Sequence, residues 1–186
     1  MYKRLFIAIK IDPTEEILRR VYYLKQNLSE ENINWIPYEH YHLTLQFLGK
    51  TAVSIINELQ FSLKNVLLNK KSFDLSIGET ALFGSTYAPK VIWIKAGPQN
   101  ELNNLHHHIQ ESMMPFGFRN DRQNFVPHLS IARIRKLKNK EHFKRVMEKL
   151  PQQKIVYQRI EEVVLYESVL HSRGAQYMEI GRFPLA

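Results

Sequence analysis

Two tetrapeptides, His42-Leu43-Thr44-Leu45 and His128-Leu129-Ser130-Ile131, set a hydroxyl two residues after an imidazole. Both lie in stretches that alternate polar and apolar residues, as a half-buried strand does, so residues i and i+2 share a face. His42 and Thr44 then point one way and Leu43 and Leu45 the other; His128 and Ser130 repeat the arrangement. Hydrolysing a phosphodiester without a metal needs one group to deprotonate the attacking water and another to protonate the leaving oxygen on the far side of phosphorus. Imidazole suits both roles, because its ordinary pKa of about 6.5 lies near neutrality. The hydroxyls can donate to non-bridging phosphate oxygens, where transition-state charge must be held. One such tetrapeptide carries little information. Two in comparable strand contexts, facing each other across a groove, make a pseudo-symmetric acid–base pair.

Other residues that could do chemistry are weaker candidates. His40 precedes His42 by two and is expected at the rim. His106-His107-His108 looks like a metal tract, but consecutive helical residues diverge, so three cannot easily ligate one ion. His142 and His171 have no partner pattern. Phe47 is expected in the core. Tyr38, Tyr41, Phe83 and Phe125 are as suited to packing as to stacking on a base. No metal site or cofactor is expected.

The elements that must position the two histidines follow from periodicity. Residues 3–11 read as a buried strand. Asp12-Pro13-Thr14-Glu15 starts a helix, with Asp12 as its cap, and Ile17, Val21, Leu24 and Leu28 form the apolar face. Trp35-Ile36-Pro37 breaks the chain before a strand from Tyr41 to Leu48, which Gly49 ends. A helix over 52–69 follows, then strands at 73–80 and 91–96 separated by a loop over 82–90. Further elements are a helix near 100–114, a strand over 125–134, a short helix over 139–149, and strands at 154–166 and 175–182. The loops around 82–90 and 115–124 are the expected mobile regions. The order is not a βαβα alternation. It suggests an α+β fold of two similar lobes, one tetrapeptide in each, forming a single domain over 1–186.

Composition bounds the partners. The chain of 186 residues has no cysteine, which excludes a disulfide scaffold, a zinc-cysteine site and a thiol nucleophile. The apolar run Leu5–Ile9 is too short for a signal peptide, and no stretch is long enough to span a membrane, so a cytoplasmic protein is expected. A net charge of +8 favours a polyanionic partner such as RNA or a nucleotide.

The segments RLFIAIKID, NINWIPYEHYHLTLQFLGK, APKVIWIKAG, FVPHLSIAR and LYESVLHSRGAQYMEI occur in that order and cover nearly the whole chain. Together they resemble the 2H phosphoesterase superfamily, and within it the RNA 2′,3′-cyclic phosphodiesterases historically called 2′-5′ RNA ligases. The resemblance implies a bilobal α+β fold with two antiparallel sheets lining a central cleft and helices outside. It implies hydrolysis of 2′,3′-cyclic phosphate ends of RNA, or of cyclic nucleotides, to 2′-phosphomonoesters, with weak reverse 2′-5′ ligation. It assigns catalysis to His42 and His128 and phosphate binding to Thr44 and Ser130. By analogy His42 is the acid toward the departing 3′-oxygen and His128 the base, an order that the residues themselves do not establish. Ser130 stands where relatives often carry threonine, and keeps the donor. Arg133 occupies the arginine position that follows the second tetrapeptide, suited to a phosphate. It has the opposite strand parity from His128, so reaching the same face requires a twist or bulge. The open alternatives are another 2H activity, such as a 2′-5′ oligonucleotide phosphodiesterase, and a non-catalytic RNA-binding module. No obligate protein partner is indicated, and a monomer is the expectation.

Overall fold

The structure, a computed structural model, describes all residues except 86, 119–124, 152–155 and 172–173, and describes 156, 157 and 174 by backbone alone. Among the described residues the strands are β1 (Tyr2–Lys10), β2 (Asn32–Trp35), β3 (His42–Ala52), β4 (Phe73–Ser85), β5 (Ala88–Gly97), β6 (His128–Lys136), β7 (Val156–Ile160), β8 (Glu162–His171) and β9 (Gly174–Pro184). The helices are α1 (Glu15–Asn27), α2 (Ile56–Leu67), α3 (Gln99–Met113) and α4 (Lys140–Glu148).

Two antiparallel sheets result, in the orders β3-β1-β8-β9 and β2-β6-β5-β4-β7. The continuous buried run Leu5–Ile9 has its cause here: β1 is interior to its sheet and covered on both faces. One face joins the main core, where Leu5, Ile7, Leu43 and Leu165 pack with Leu75, Ile94 and Leu129 of the second sheet and with Leu24, Leu63 and Ile109 of the helices. The other face carries a smaller cluster of Phe6, Ala8, Val164 and Tyr166, with Tyr177 against it. The two tetrapeptide strands, β3 and β6, adjoin where the sheets meet.

The α+β class and the two sheets agree with the sequence reading; several details do not. The sheets are interleaved along the chain. β1 shares a sheet with β8 and β9 from the other end, while β2 leaves the first half to pair with β6. The stretch expected as one strand over 154–166 divides at Glu161 into β7 and β8, one in each sheet. The expected loop over 82–90 is largely a hairpin, with β4 reaching Ser85 and β5 starting at Ala88. Gly49 does not end β3. With φ of +66° it lies opposite Leu5, while Phe47 lies opposite Phe6, so it absorbs an irregularity and the strand continues to Ala52. The cap of α1 is Thr14, whose side chain accepts from the Ile17 N–H, whereas the Asp12 N–H is taken by the side chain of Gln158. Of the expected mobile segment 115–124, residues 119–124 lie outside the described residues, and Met114–Phe116 form a 3-10 turn. Among the described residues, no helix is long and apolar enough to cross a membrane.

Candidate active site

The strands that carry the tetrapeptides have the same local defect. In the β1–β3 ladder, Thr44 pairs with Ala8 and Gln46 with Ile7, which leaves Leu45 as an extra residue. In the β5–β6 ladder, Ser130 pairs with Trp93 and Ala132 with Ile92, which leaves Ile131 extra. Each is a β-bulge placed three residues after a histidine. Burial follows suit. Leu43, Leu45, Gln46 and Leu48 are buried in β3, and Leu129, Ile131, Ala132 and Ile134 in β6. Two successive inward residues reset the alternation. Phe47 therefore returns to the face of His42 and Thr44, and Arg133 to the face of His128 and Ser130.

Both histidines are oriented in the same way. The Nδ1–H of His42 donates to the carbonyl of His40 at 2.7 Å, and that of His128 to the carbonyl of Val126 at 2.7 Å. A carbonyl can only accept, so the Nδ1 proton is fixed on each ring. Nε2 is left for chemistry, with a lone pair when the ring is neutral and a proton when it is charged.

Aromatic walls surround each ring. His42 lies 5.0 Å from Phe6 and 5.1 Å, edge-on, from Tyr177, and Tyr166 stacks on Phe6 at 5.2 Å. His128 meets Phe83 edge-on at 4.8 Å, and Phe83 stacks on Trp93 at 4.5 Å. Burial among these walls pushes the His42 pKa down from 6.5 to about 4. The bond to the His40 carbonyl opposes that shift, and the positive charges of His128, His40 and Arg133 reinforce it. His128 is also lowered, chiefly by burial, with the Val126 carbonyl opposing and Arg133 adding to the effect. Arg133 therefore acts on both histidines and His128 acts on His42, as groups facing one groove do.

The remaining candidates disperse. Thr44 and Ser130 stand half-buried beside their histidines, on the same face. His40 packs on Tyr177 at 5.0 Å, at the rim. His106 Nδ1 donates to the carbonyl of Leu45, the bulged residue, at 2.6 Å, and its ring stacks on Phe125 at 4.0 Å. His107 pairs with Glu111 at 3.4 Å, and His108 Nδ1 donates to the Asn104 carbonyl at 2.6 Å. The three histidines thus have three separate partners. His142 bonds the Asn27 carbonyl, and His171 is exposed at the end of β8. Tyr41 belongs to the core, where burial and then Glu39 push its pKa up to about 12. Phe47, expected in the core, is 68% exposed instead. Sequence reasoning missed the walls made by Phe6, Tyr177 and Trp93, whose strand parity was the available signal.

Comparison with known proteins assigns the chain to a family. The model of the 2′-5′ RNA ligase superfamily matches residues 14–170. The chain belongs to that superfamily. A relative from Geobacillus stearothermophilus, an RNA 2′,3′-cyclic phosphodiesterase, is 30% identical over 81% of this chain, which spans 47% of that relative's length. An RNA 2′,3′-cyclic phosphodiesterase from Methanocaldococcus jannaschii is 28% identical over 94% of this chain and 96% of its own. Among solved structures, Escherichia coli LigT complexed with 3′-AMP superposes with a TM-score of 0.80 at 19% identity, over 100% of this chain and 99% of its own. TT0787 of Thermus thermophilus also gives 0.80 at 19% identity, over 98% and 97%. At these identities the superpositions show the shared two-lobed fold of the superfamily.

Proposed function

We propose that this member of the superfamily hydrolyses 2′,3′-cyclic phosphate ends of RNA to 2′-phosphomonoesters, with His42 and His128 as its acid–base pair. One observation carries the reading: two imidazoles with matching backbone hydrogen bonds leave two Nε2 atoms for one groove, each beside a hydroxyl. The names of the relatives support the substrate.

In the proposed step, a neutral imidazole takes a proton from water through Nε2, and the water oxygen forms a bond to phosphorus. The P–O3′ bond breaks, and the other imidazole, charged beforehand, delivers its Nε2 proton to O3′. The products are a 2′-phosphate and a 3′-hydroxyl. Thr44, Ser130 and Arg133 hold the non-bridging oxygens as charge builds there. A 5′-hydroxyl that takes the place of water forms a 2′-5′ linkage by the same transfers.

In the free protein burial, and then the charges of His128, His40 and Arg133, oppose a proton on His42. With His42 as the acid, the substrate must raise it. A bound phosphate anion acts in that direction, because it stabilises the imidazolium that burial disfavours.

The test is turnover of a 2′,3′-cyclic-phosphate RNA end in excess EDTA, with product identification. The 2′-phosphate is the expected product. His42→Ala and His128→Ala, each still folded, should lower kcat by about 10²-fold or more. Full activity in either variant overturns the mechanism. Salt-dependent RNA binding without turnover on any cyclic end replaces the reading with a binding module.

A further inference from the structure

The matching of the two walls extends one strand beyond the histidines. In the β1–β3 ladder the residue opposite His42 is Lys10, and in the β5–β6 ladder the residue opposite His128 is Lys95. Residues directly opposite on neighbouring strands share a face, with Cβ atoms about 5 Å apart. Ring contacts fix which face this is. Phe6, on the alternating set Phe6, Ala8 and Lys10, lies 5.0 Å from the His42 ring. Trp93, two residues before Lys95, lies 5.7 Å from the His128 ring. Across the groove the order is therefore Lys10, His42, His128, Lys95.

Both lysines are exposed, and neither forms a salt bridge among the described residues. Lys3, on the same strand as Lys10, is by contrast neutralised by Glu167 at 2.6 Å. A cation left unpaired beside each histidine adds to the positive charge of a groove in which Arg133 already reinforces the effect of burial on both histidines.

Building on the function proposed above, we infer that Lys10 and Lys95 bind backbone phosphodiesters adjacent to the reacting phosphate. The preferred substrate is then an oligonucleotide end, and a cyclic mononucleotide is the poorer one. The chemistry is that of a flexible ammonium on each wall, which reaches a phosphate as a point charge without demanding one geometry. Arg133, with its planar fork, is left for the reacting phosphate. A mononucleotide fills the centre of the groove and leaves both lysines in water. A strand leaving the site passes one or both.

The test compares Lys10→Gln, Lys95→Gln and the double variant with the unaltered protein. The probes are a 12-nucleotide RNA with a 2′,3′-cyclic phosphate end and 2′,3′-cyclic AMP, compared by kcat/KM. Binding of the same RNA ending in a 2′-phosphate, against adenosine 2′-monophosphate, is followed by fluorescence anisotropy from 50 to 200 mM salt. The preference for RNA over the nucleotide should fall by about tenfold in the double variant, in both readouts. The slope of log affinity against log salt for RNA should shrink by about 0.7 per lysine removed. Equal losses on RNA and nucleotide would mean that the lysines hold the reacting phosphate, and would overturn the inference, as would unchanged RNA binding. The binding arm stands without turnover. An inactive protein that loses RNA affinity in the variants refutes the proposed function and keeps the inference, whereas an active protein with unchanged selectivity does the reverse.

Discussion

Burial of His42 links the proposed chemistry to stability, and the linkage is measurable. In the unfolded chain an imidazole has a pKa of about 6.5; in the folded protein His42 is held at about 4. Between those values the unfolded chain binds a proton that the folded protein refuses, so stability rises with pH across the window. It is complete above about 6.5 and falls as the pH drops toward 4. At about 1.4 kcal/mol for each tenfold, the interval corresponds to about 3 kcal/mol. The perturbation is His42→Gln, which keeps a polar side chain of similar size and removes the titration. Urea unfolding at pH 7, 6, 5 and 4, followed by the fluorescence of Trp35 and Trp93, gives the stability at each point. The unaltered protein should lose about 3 kcal/mol more than the variant between pH 7 and 4. Groups that do not face His42 are common to both proteins, so the difference isolates His42 together with its coupling to His128. Parallel curves would show that His42 titrates normally and would refute the claim that its aromatic walls keep it neutral.

Three further outcomes are expected. Arg133→Gln removes a charge that lowers both histidines. Their NMR titration midpoints should move up together, and KM for a cyclic phosphate should rise by about tenfold; unmoved midpoints would place Arg133 outside the groove. Gly84→Ala puts a Cβ 2.7 Å from the Ala88 carbonyl oxygen at a φ of +108°, where an L side chain is strained. It should cost about 2–3 kcal/mol in urea unfolding, and lower kcat by displacing Phe83 from the edge of His128. Arg20 is buried and donates to the Gly78 carbonyl at 2.5 Å and to the Thr80 hydroxyl at 3.0 Å, tying α1 to the irregular part of β4. Arg20→Ala should cost about 2–4 kcal/mol, and Arg20→Met, which keeps the volume without the charge, less than about 1.5 kcal/mol. Equal losses would show that the hydrogen bonds, and not the packing, carry the effect.

Much of this site was legible because strand parity is local. The pairing of His42 with Thr44, and of His128 with Ser130, on one face needs only a period of two. The bulges were harder to read, since they are properties of ladders and not of single strands. Yet Arg133 already signalled one: a charged residue at a parity reserved for the core either unfolds the pattern or resets it, and Ile131 resets it. Phe47 gave no such signal, because phenylalanine suits either face, and it was placed in the core where the structure exposes it. The cap of α1 was misplaced because Asp12, Pro13 and Thr14 are all good starting residues, and a contact with Gln158, 146 positions away, decides among them. The interleaving of the sheets had no local signature. Strand order depends on which edges meet, and β2 and β7 are short pieces whose own residues do not choose a sheet.

That interleaving bears on how the protein is made. β1 emerges first during synthesis, but its neighbour β8 and the edge strand β9 come last. The wall that desolvates His42 includes Tyr166 and Tyr177 from those late strands. Until they dock, Phe6 and His42 lie in water and the imidazole keeps its ordinary basicity. A chain still being translated therefore carries both tetrapeptides without a finished groove. The groove that the two histidines face is complete only once the last strands have closed over the first.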